Sequence, residues 1–310
     1  MAILIQIGEN HSQEIWREGF LAINPDLDLR LWPEVGDPAE IDAVIVWHHH
    51  HGSLTAFPNL KLICNLGAGV EAIFKDPDLP TGVPITRVVD PRLTRAMAEY
   101  VVLHVLRYHR HFAETQANQA AKKWEYIAPD DAAVTTVGFM GIGELGQFSA
   151  DKVRAMGFRV SGWSRSEKSI DGMETFHGPE GLTPFLNSLK MLVCLLPLTE
   201  ETSGIVNKDL LAQLPEGSFF INAGRGQHVV DEDLIAALDS GRLSGATLDV
   251  FNTEPLPADH AYWEHPGLTI TPHNAADSFP EDVCPQILDN INRVLSGDAP
   301  LYEVKTGRGY

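Results

Sequence analysis

Short apolar runs alternate with amphipathic segments along the whole chain. In the first ninety residues, "AILIQIG" (2–8), "AVIVW" (43–47) and "LKLICNLG" (60–67) have the composition of buried strands. The segment "HSQEIWREGFLAI" (11–23) between the first two has helical spacing instead. This alternation is typical of βα units built around a parallel sheet.

A long helix is predicted after Pro91, from about Leu93 to Trp124. Its first half, "AMAEYVVLHVL", is apolar almost all round, which predicts burial between larger elements. Its second half, "RYHRHFAETQANQAAKKW", is polar and is expected at the surface.

A second and longer series of strands and helices follows. The final helix is predicted over about Glu281 to Ser296, with apolar residues at helical spacing and Gly297 at its end. A helix is also expected in "DEDLIAALDSG". The predicted strands are "TVGFM", "FRVSGW", "MLVCLLP", "GSFFINA", "ATLDVF" and "LTITPH". Both halves of the chain are therefore expected to be α/β.

Length and composition narrow the class of protein. A chain of 310 residues is expected to form two domains. With 23 basic and 42 acidic residues its net charge is −19, which disfavours nucleic acids and anionic membranes as partners. Its three cysteines lie far apart without metal-type spacing. Without a predicted signal peptide or membrane span, the protein is expected in the cytoplasm.

A glycine-rich turn follows the predicted strand "TVGFM". Gly141, Gly143 and Gly146 have the G-x-G-x-x-G spacing and precede the helical segment "LGQFSADKVRAMG". In that context the glycines permit a tight turn and close approach of backbone N–H groups to a pyrophosphate at a helix N-terminus. The sequence predicts dinucleotide binding here; the alternative is a glycine-rich turn that binds nothing.

The segment "WSRSEK" lies about twenty residues further on, where an NAD-binding protein usually has an acidic residue for the ribose. Here Ser164 occupies that position and Arg165 follows it. A hydroxyl removes the repulsion of a 2′-phosphate, and a guanidinium can bind phosphate oxygens. With Ser166 and Lys168 as helpers, the loop predicts a preference for NADP(H), with NAD(H) possible; the alternative is a solvated basic loop.

Three further segments place reactive side chains after predicted strands. Arg225 follows "FINAG", Asp249 and Glu254 follow "GATL", and His273 follows "LTITP". Open α/β sheets assemble their sites at these strand ends. An arginine that binds a carboxylate and a histidine paired with an acidic residue are what carbonyl reduction requires. Each residue alone has an ordinary structural explanation, so the prediction depends on their joint occurrence.

Several long motifs resemble the D-2-hydroxyacid dehydrogenase family, and within it the glyoxylate/hydroxypyruvate reductase A type. The resemblance covers nearly the whole chain and is strongest from Thr136 to Ala275. Its main motifs are "GFMGIGELG", "LLPLTEETSGIVN", "LPEGSFFINAGRG", "ATLDVFNTEPL" and "ITPHNAA", with shorter ones at "NLGAGVEAI", "CPQILDNINRVLSG" and "GRGY".

The resemblance implies roles for individual residues. Arg225 would bind and polarise a 2-oxo acid, His273 would donate a proton, and Glu254 would be its carboxylate partner. Asp249 would contact the nicotinamide side of the cofactor. The backbone amides of Ala68, Gly69 and Val70 would hold the substrate carboxylate. The remaining cofactor contacts carried over from these motifs are Glu144, Leu145, Leu196, Pro197 and Ala223.

The resemblance also implies the architecture and activity. It predicts two Rossmann-like domains with parallel sheets: a discontinuous substrate (lid) domain, residues 1–95 and 284–310, and an NAD(P)-binding domain, residues 96–283. The expected activity is NADPH-preferring reduction of glyoxylate and hydroxypyruvate to glycolate and D-glycerate, in a homodimer. The alternatives are a non-catalytic NAD(P)-sensing protein on the same fold, or a dehydrogenase for a bulkier 2-oxo acid or for another anion such as formate or phosphite.

A run of four histidines, His48 to His51, follows the predicted strand "AVIVW". Side chains of consecutive extended residues point to opposite faces, so the four cannot converge on one ion, and no metal is expected. Trp47, directly before the run, lines the substrate pocket or belongs to the core. The sequence leaves these two interpretations equal.

Overall fold

The computed structural model describes residues 2–8 and 12–304, so the C-terminal "GRGY" motif lies outside the described residues. It divides the chain into two compact units: Met1–Arg92 with Ser278–Tyr310, and Leu93–Asp277. The boundaries expected from the sequence, after residues 95 and 283, lie three and six residues beyond those of the structure. No helix among the described residues is long and apolar enough to cross a membrane.

Strands and helices alternate along most of the chain. The strands are β1 (Ala2–Ile7), β2 (Asp28–Leu31), β3 (Ile41–Trp47), β4 (Leu62–Asn65), β5 (Ile85–Thr86), β6 (Thr136–Met140), β7 (Arg159–Ser164), β8 (Glu174–His177), β9 (Met191–Cys194), β10 (Ser218–Asn222), β11 (Leu243–Leu248) and β12 (Leu268–Ile270). The helices are α1 (Gln13–Ile23), α2 (Glu71–Phe74), α3 (Pro91–His109), α4 (Phe112–Ala120), α5 (Glu144–Ala155), α6 (Gly178–Leu186), α7 (Lys208–Leu211), α8 (Asp231–Asp239) and α9 (Pro280–Leu295).

The first unit contains a parallel sheet with the order β2-β1-β3-β4-β5. Every residue of β1 and β4 is buried, as expected for strands covered on both faces. Helix α9 packs against α1, where Gly19 permits close approach: a Cβ atom there would lie 2.6 Å from Cβ of Pro280. The predicted final helix is thus confirmed, and its residues Val283, Ile287 and Ile291 belong to this unit's core.

The second unit contains a parallel sheet with the order β12-β11-β10-β9-β6-β7-β8. The chain leaves β6 for β7 on one side and returns to β9 on the other, so the strand order reverses at β6. The carboxyl ends of β6 and β9 flank a topological switch point, which is where doubly wound sheets bind dinucleotides. Two parallel α/β sheets of this kind confirm the predicted fold class.

The prediction of one long helix from Leu93 to Trp124 is wrong. Two helices, α3 and α4, are separated at His111, whose backbone has a φ of 49° and cannot continue a right-handed helix. Nε2 of His111 lies 3.1 Å from a carboxylate oxygen of Asp130, and this contact holds the ring at the break. The segment "AMAEYVVLHVL" within α3 is mostly buried, as predicted, and only Glu99 and Leu103 in it are exposed.

Candidate active site

The glycine-rich turn after β6 has the geometry that its spacing predicts. Gly141 has a φ of 94°, and a Cβ atom there would lie 2.5 Å from the carbonyl oxygen of Leu195. A Cβ atom on Gly146 would lie 1.9 Å from the carbonyl oxygen of Gly141, so only glycine lets α5 begin this close to β6. Gly143 differs from both, since nothing lies within 4 Å of its Cβ position. The second glycine thus faces open space at the N-terminus of α5.

Glu144 and Leu145, the first two residues of α5, follow directly. Glu144 is exposed and Leu145 is half-buried. Gly143 is the N-cap residue and offers no side-chain acceptor to the helix, so the first N–H groups of α5 are not capped by a side chain. An N-terminus of this kind favours an anionic group by its N–H donors and its dipole.

The basic loop follows β7, the neighbour of β6. Ser164 is buried at the strand end, and its hydroxyl donates to the carbonyl of Ser166 at 2.8 Å. The hydrogen bond from the Thr199 hydroxyl is the main cause that lowers the pKa of Glu201, and the positive charge of exposed Arg165 adds to it. The ammonium of Lys168 donates to the carbonyl of Ile142, inside the glycine-rich turn, at 2.8 Å. The basic loop and the glycine-rich turn are therefore adjacent.

The loops after β9 and β10 contain the other predicted cofactor contacts. Leu196 and Ala223 are buried at these strand ends, and Pro197 is half-buried. A fully buried histidine, His228, lies between the two loops. Its Nε2 lies 3.3 Å from the carbonyl oxygen of Pro197, and its Nδ1 lies 3.1 Å from the backbone nitrogen of Arg225.

Arg225 follows β10 with an extended backbone. The amide of Asn222 donates to its carbonyl oxygen at 3.0 Å, and its own guanidinium donates to the carbonyl of Gly224 at 2.8 Å. The positive charge of Arg225 acts on both Glu254 and His273, where it favours the lower pKa in each case although it is not the main cause of either shift. The three predicted catalytic side chains thus belong to one electrostatic cluster.

Glu254 and His273 form a direct pair. Oε2 of Glu254 lies 2.7 Å from Nδ1 of His273, and Oε1 accepts a hydrogen bond from the N–H of Phe251 at 2.9 Å. The hydrogen bond to Glu254 raises the pKa of His273 above its ordinary value, although partial burial opposes it. Burial acts to raise the pKa of Glu254, but His273 and the Phe251 N–H outweigh it and the pKa is lowered. The pair therefore favours imidazolium beside carboxylate.

Asp249 holds the loop that carries His273. It is buried, and its carboxylate accepts hydrogen bonds from the Thr271 hydroxyl at 2.5 Å, the Asn274 N–H at 3.0 Å and the Ala275 N–H at 2.9 Å. Its backbone carbonyl accepts from the N–H of His273 at 2.8 Å. These bonds hold His273 at a φ of 51°, which a non-glycine residue rarely adopts. The contact of Asp249 with the nicotinamide stays a prediction.

In the first unit, the predicted substrate loop follows β4. The buried side chain of Asn65 donates to the carbonyls of Gly67 and Gly69 at 2.8 and 2.7 Å and so fixes the turn. Trp47 lies against this turn, because a Cβ atom on Gly67 would lie 2.2 Å from its indole ring. Ala68 and Gly69 are half-buried and Val70 is buried before α2. Trp47 itself is half-buried beside the core of this unit, so it contacts both the core and the predicted loop.

The histidine run does not converge on one point. His49 is buried and pairs with Asp76 at 2.9 Å, while His48, His50 and His51 are exposed. Asp76 also accepts hydrogen bonds from the N–H groups of Gly52 and Asp78, at 3.0 Å each. Throughout residues 2–8 and 12–304, no three histidine, cysteine or acidic side chains are grouped in a way that could hold a metal ion.

Sequence reasoning missed the residues that orient the catalytic groups. Asn222, His228 and Thr271 each bond to the backbone or side chain of a predicted site residue. Two of them stand within "FINAGRGQHVV", whose polar residues after an apolar strand were the available signal.

The site residues of the second unit all lie at or after the carboxyl ends of neighbouring parallel strands, namely β6, β7, β9, β10, β11 and β12. A dinucleotide turn at the switch point and an arginine, glutamate and histidine beside it are suited to moving a proton while a cofactor exchanges electrons.

Residues 102–275 match the model of the D-isomer specific 2-hydroxyacid dehydrogenase NAD-binding domain. The chain is 42% identical over 302 residues to glyoxylate/hydroxypyruvate reductase A of Serratia proteamaculans, with 96% of each chain covered. A D-isomer specific 2-hydroxyacid dehydrogenase of Xanthobacter autotrophicus Py2, solved with NADPH and MES, matches with a TM-score of 0.94 and 41% identity, covering 100% of this chain and 99% of that one.

The NADPH-dependent glyoxylate/hydroxypyruvate reductase of Sinorhizobium meliloti, solved with NADP and sulfate, matches with a TM-score of 0.93 and 36% identity, covering 100% of this chain and 99% of that one. A family model that spans more than half of the chain, and relatives aligned over nearly all of it, agree with the site geometry. The chain belongs to the D-isomer specific 2-hydroxyacid dehydrogenase family.

Proposed function

We propose that this protein is an NADPH-preferring reductase of small 2-oxo acids, converting glyoxylate to glycolate and hydroxypyruvate to D-glycerate. The observation that carries the proposal is the 2.7 Å pair of His273 with Glu254, placed in the electrostatic field of Arg225. The relatives named glyoxylate/hydroxypyruvate reductase A support this choice of substrates.

The chain fits an NADP(H) cofactor. The open space at Gly143 leaves room for a pyrophosphate against the N-terminus of α5, while Gly141 and Gly146 bring the turn close to the sheet. Arg165, Ser166 and Lys168 would hold the 2′-phosphate, because Ser164 provides no negative charge to repel it. When bound, the reduced nicotinamide supplies a hydride to the carbonyl carbon of the 2-oxo acid.

The protein's own residues supply the proton and hold the substrate. Nδ1 of His273 is committed to Glu254, so Nε2 of the imidazolium is the atom that protonates the forming alkoxide. Arg225 binds the substrate carboxylate and carbonyl oxygen and stabilises the negative charge that develops there. In the reverse reaction, neutral His273 takes the proton back.

We also assign substrate-binding roles in the first unit, and with them the domain roles expected from the sequence. The backbone amides of Ala68, Gly69 and Val70 would bind the substrate carboxylate, and Trp47 would limit the size of the 2-oxo acid. The rigid support of this turn by Asn65 and the contact of Gly67 with the Trp47 ring support that assignment.

A homodimer in the cytoplasm is the proposed form of the enzyme. Trp124 and Tyr126 are almost fully exposed, and Leu103 and Phe112 are at least half exposed. A second copy of the chain would cover such side chains. The three cysteines are free and buried, which suits a reducing compartment. Light scattering of the purified protein at micromolar concentration tests the dimer, and a monomer mass would reject it.

Initial rates with glyoxylate and hydroxypyruvate, each with NADPH and NADH, test the function. We expect turnover of both acids and a kcat/KM preference for NADPH of at least tenfold, or about 1.4 kcal/mol. Equal rates with both cofactors would reject the role of the basic loop. Turnover confined to phenylpyruvate would replace the substrate, and no turnover with any 2-oxo acid would favour a sensor.

Two variants test the catalytic assignment. His273→Ala is expected to abolish nearly all turnover, and Arg225→Ala to lose most of it, because they remove the proton donor and the oxyanion stabiliser. NADPH binding, measured by fluorescence titration, should stay close to the parental value in both. Near-parental kcat/KM in either variant would reject its role.

A further inference from the structure

The second unit contains a buried histidine, His228, that no catalytic step uses. It lies three residues after Arg225, and none of its surface is exposed. Burying an imidazole is unfavourable unless its nitrogens have partners. Both ring nitrogens of His228 have backbone partners, and they belong to two different loops of the site.

These partners fix the tautomer. A backbone N–H can only donate, so the 3.1 Å contact with the nitrogen of Arg225 makes Nδ1 an acceptor. The proton of the neutral ring is therefore on Nε2, which donates to the carbonyl oxygen of Pro197 at 3.3 Å. A Cβ atom on Gly224 would lie 3.1 Å from the ring, and Sγ of Cys194 lies 3.7 Å from Nδ1. The ring cannot turn over without losing both bonds.

The two loops serve different ligands. Pro197 follows β9 among the proposed cofactor contacts, and Arg225 follows β10 as the proposed substrate anchor. Strands β9 and β10 are neighbours in the sheet, from Met191 and Phe219 to Cys194 and Asn222, so the loops diverge only beyond these last paired residues. Beyond them, His228 spans the separation from one loop to the other.

The geometry points to His228 as a positioning residue that sets the distance between the substrate-binding Arg225 and the cofactor-binding Pro197. It acts on Arg225 through the backbone N–H, while Asn222 holds the carbonyl of the same residue. This role rests on the proposed function and extends it. The His228 ring links the orientation of Arg225, which would bind the substrate, to the loop of Pro197, which would bind the cofactor.

The two hydrogen bonds of His228 can be tested separately, because asparagine can replace one of them and glutamine the other. The Oδ1 atom of asparagine can take the place of Nδ1 and accept from Arg225, whereas asparagine is too short to reach Pro197. The Nε2 atom of glutamine can take the place of the ring Nε2 and donate to Pro197, whereas it leaves the Arg225 N–H without its acceptor. The variants His228→Asn and His228→Gln therefore separate the two contacts.

The test measures the dissociation constant of NADPH by fluorescence titration, and KM and kcat for glyoxylate at saturating NADPH. A single hydrogen bond corresponds to a change of about fivefold. His228→Asn should weaken NADPH binding about fivefold and leave KM for glyoxylate within about twofold. His228→Gln should do the reverse, lowering kcat/KM for glyoxylate about fivefold with NADPH affinity nearly parental.

His109→Asn is the matched control, since His109 is also buried in the second unit but packs against Phe158 rather than between the site loops. It should lower the melting temperature without changing either ligand parameter. Equal effects of the two His228 variants on both ligands, or a lower melting temperature with unchanged constants, would overturn the proposal.

A second measurement observes the tautomer directly, with the signals of His228 assigned by their absence from His228→Asn, since the chain has thirteen histidines. In protein labelled with ¹⁵N only at histidine, the ring nitrogens of His228 should show a protonated Nε2 and an unprotonated Nδ1 at neutral pH. A protonated Nδ1 would overturn the proposal. If the parental protein does not turn over glyoxylate, the proposed function is rejected and not the role of His228. The NADPH titrations of the variants would still test the contact with Pro197.

Discussion

Glu254 uses both of its carboxylate oxygens: Oε2 lies 2.7 Å from Nδ1 of His273, and Oε1 accepts from the N–H of Phe251 at 2.9 Å. The backbone bond prevents the carboxylate from rotating away from the imidazole. Glu254 therefore fixes the direction of the ring as well as its charge, and Nε2 of His273 has one defined orientation.

Replacing Glu254 with glutamine is expected to move the basic limb of the pH profile for 2-oxo acid reduction to lower pH. Reduction needs protonated His273, so kcat/KM is constant below the raised pKa of His273 and falls above it. Glutamine has no negative charge, so the pKa of His273 falls in the variant. If that pKa falls by one, the rate at a given pH on the basic limb falls about tenfold. The measurement is kcat/KM for glyoxylate with NADPH from pH 5 to 9.

The acidic plateau is the internal control for this variant. Where His273 is protonated in both proteins, their rates should differ by much less than on the basic limb. A basic limb in the same place as in the parent would mean that Glu254 does not set the pKa of His273.

Two substitutions in the glycine-rich turn, Gly141→Ala and Gly143→Ala, are expected to affect stability and NADPH binding separately. Gly141→Ala is expected to destabilise the fold by roughly 1–3 kcal/mol, since the new methyl group meets the Leu195 carbonyl and the φ is 94°. Gly143→Ala meets nothing within 4 Å and should leave the free energy of unfolding unchanged. Its methyl group enters the space assigned to the pyrophosphate, so NADPH binding should weaken at least tenfold.

Urea unfolding and NADPH titration of both variants check this pair. A Gly143→Ala protein that binds NADPH with parental affinity would show that the pyrophosphate does not approach this glycine. A Gly141→Ala protein as stable as the parent would contradict the steric argument.

Arg165→Ser is expected to remove most of the preference for NADPH. Without the guanidinium, kcat/KM with NADPH should fall about tenfold, while the value with NADH stays within about twofold. Arg159→Ser is the matched control, because Arg159 is an exposed arginine at the opposite end of the same strand, β7. A change of the same size in both variants would indicate a general charge effect.

Tyr100 supports the catalytic loop from α3. Its hydroxyl lies 2.7 Å from the hydroxyl of Thr271, which itself donates to Asp249. Tyr100→Phe should destabilise the protein by about 0.5–1.5 kcal/mol and lower kcat for glyoxylate several-fold, because the loop carrying His273 loses one anchor.

A double variant with Thr271→Val checks this coupling. The effects of the two substitutions on kcat should be less than additive, since both break the same chain of hydrogen bonds. Strict additivity would show that Tyr100 does not act on the loop through Thr271.

Much of the fold could be predicted because its strands are short apolar runs covered on both faces. The runs that became β1, β4, β9 and β10 stand out for that reason. The break between α3 and α4 could not be predicted, because it depends on the left-handed backbone of His111 and the contact of its ring with Asp130. Neither glycine nor proline marks that position.

The candidate site could be predicted as far as its side chains follow strand ends. Arg225, Glu254 and His273 were identifiable from motifs, whereas the bonds that orient them were not. The bond from Arg225 to His228 and those from the His273 loop to Asp249 involve backbone N–H groups, which every sequence contains. Only the folded chain shows which of these groups meet an acceptor.

The first unit is interrupted by the second, and α9, the helix that completes its core against α1, is encoded at the other end of the chain. During synthesis, the second unit (residues 93–277) leaves the ribosome as one continuous segment that contains all strands of its sheet. The apolar side chains of α1 and β1 that pack against α9 stay uncovered until residues 280–295 have been synthesised. The unit whose synthesis begins first is thus the last to finish folding, and its first segment, residues 1–92, is the part of the nascent chain that is exposed to aggregation for longest.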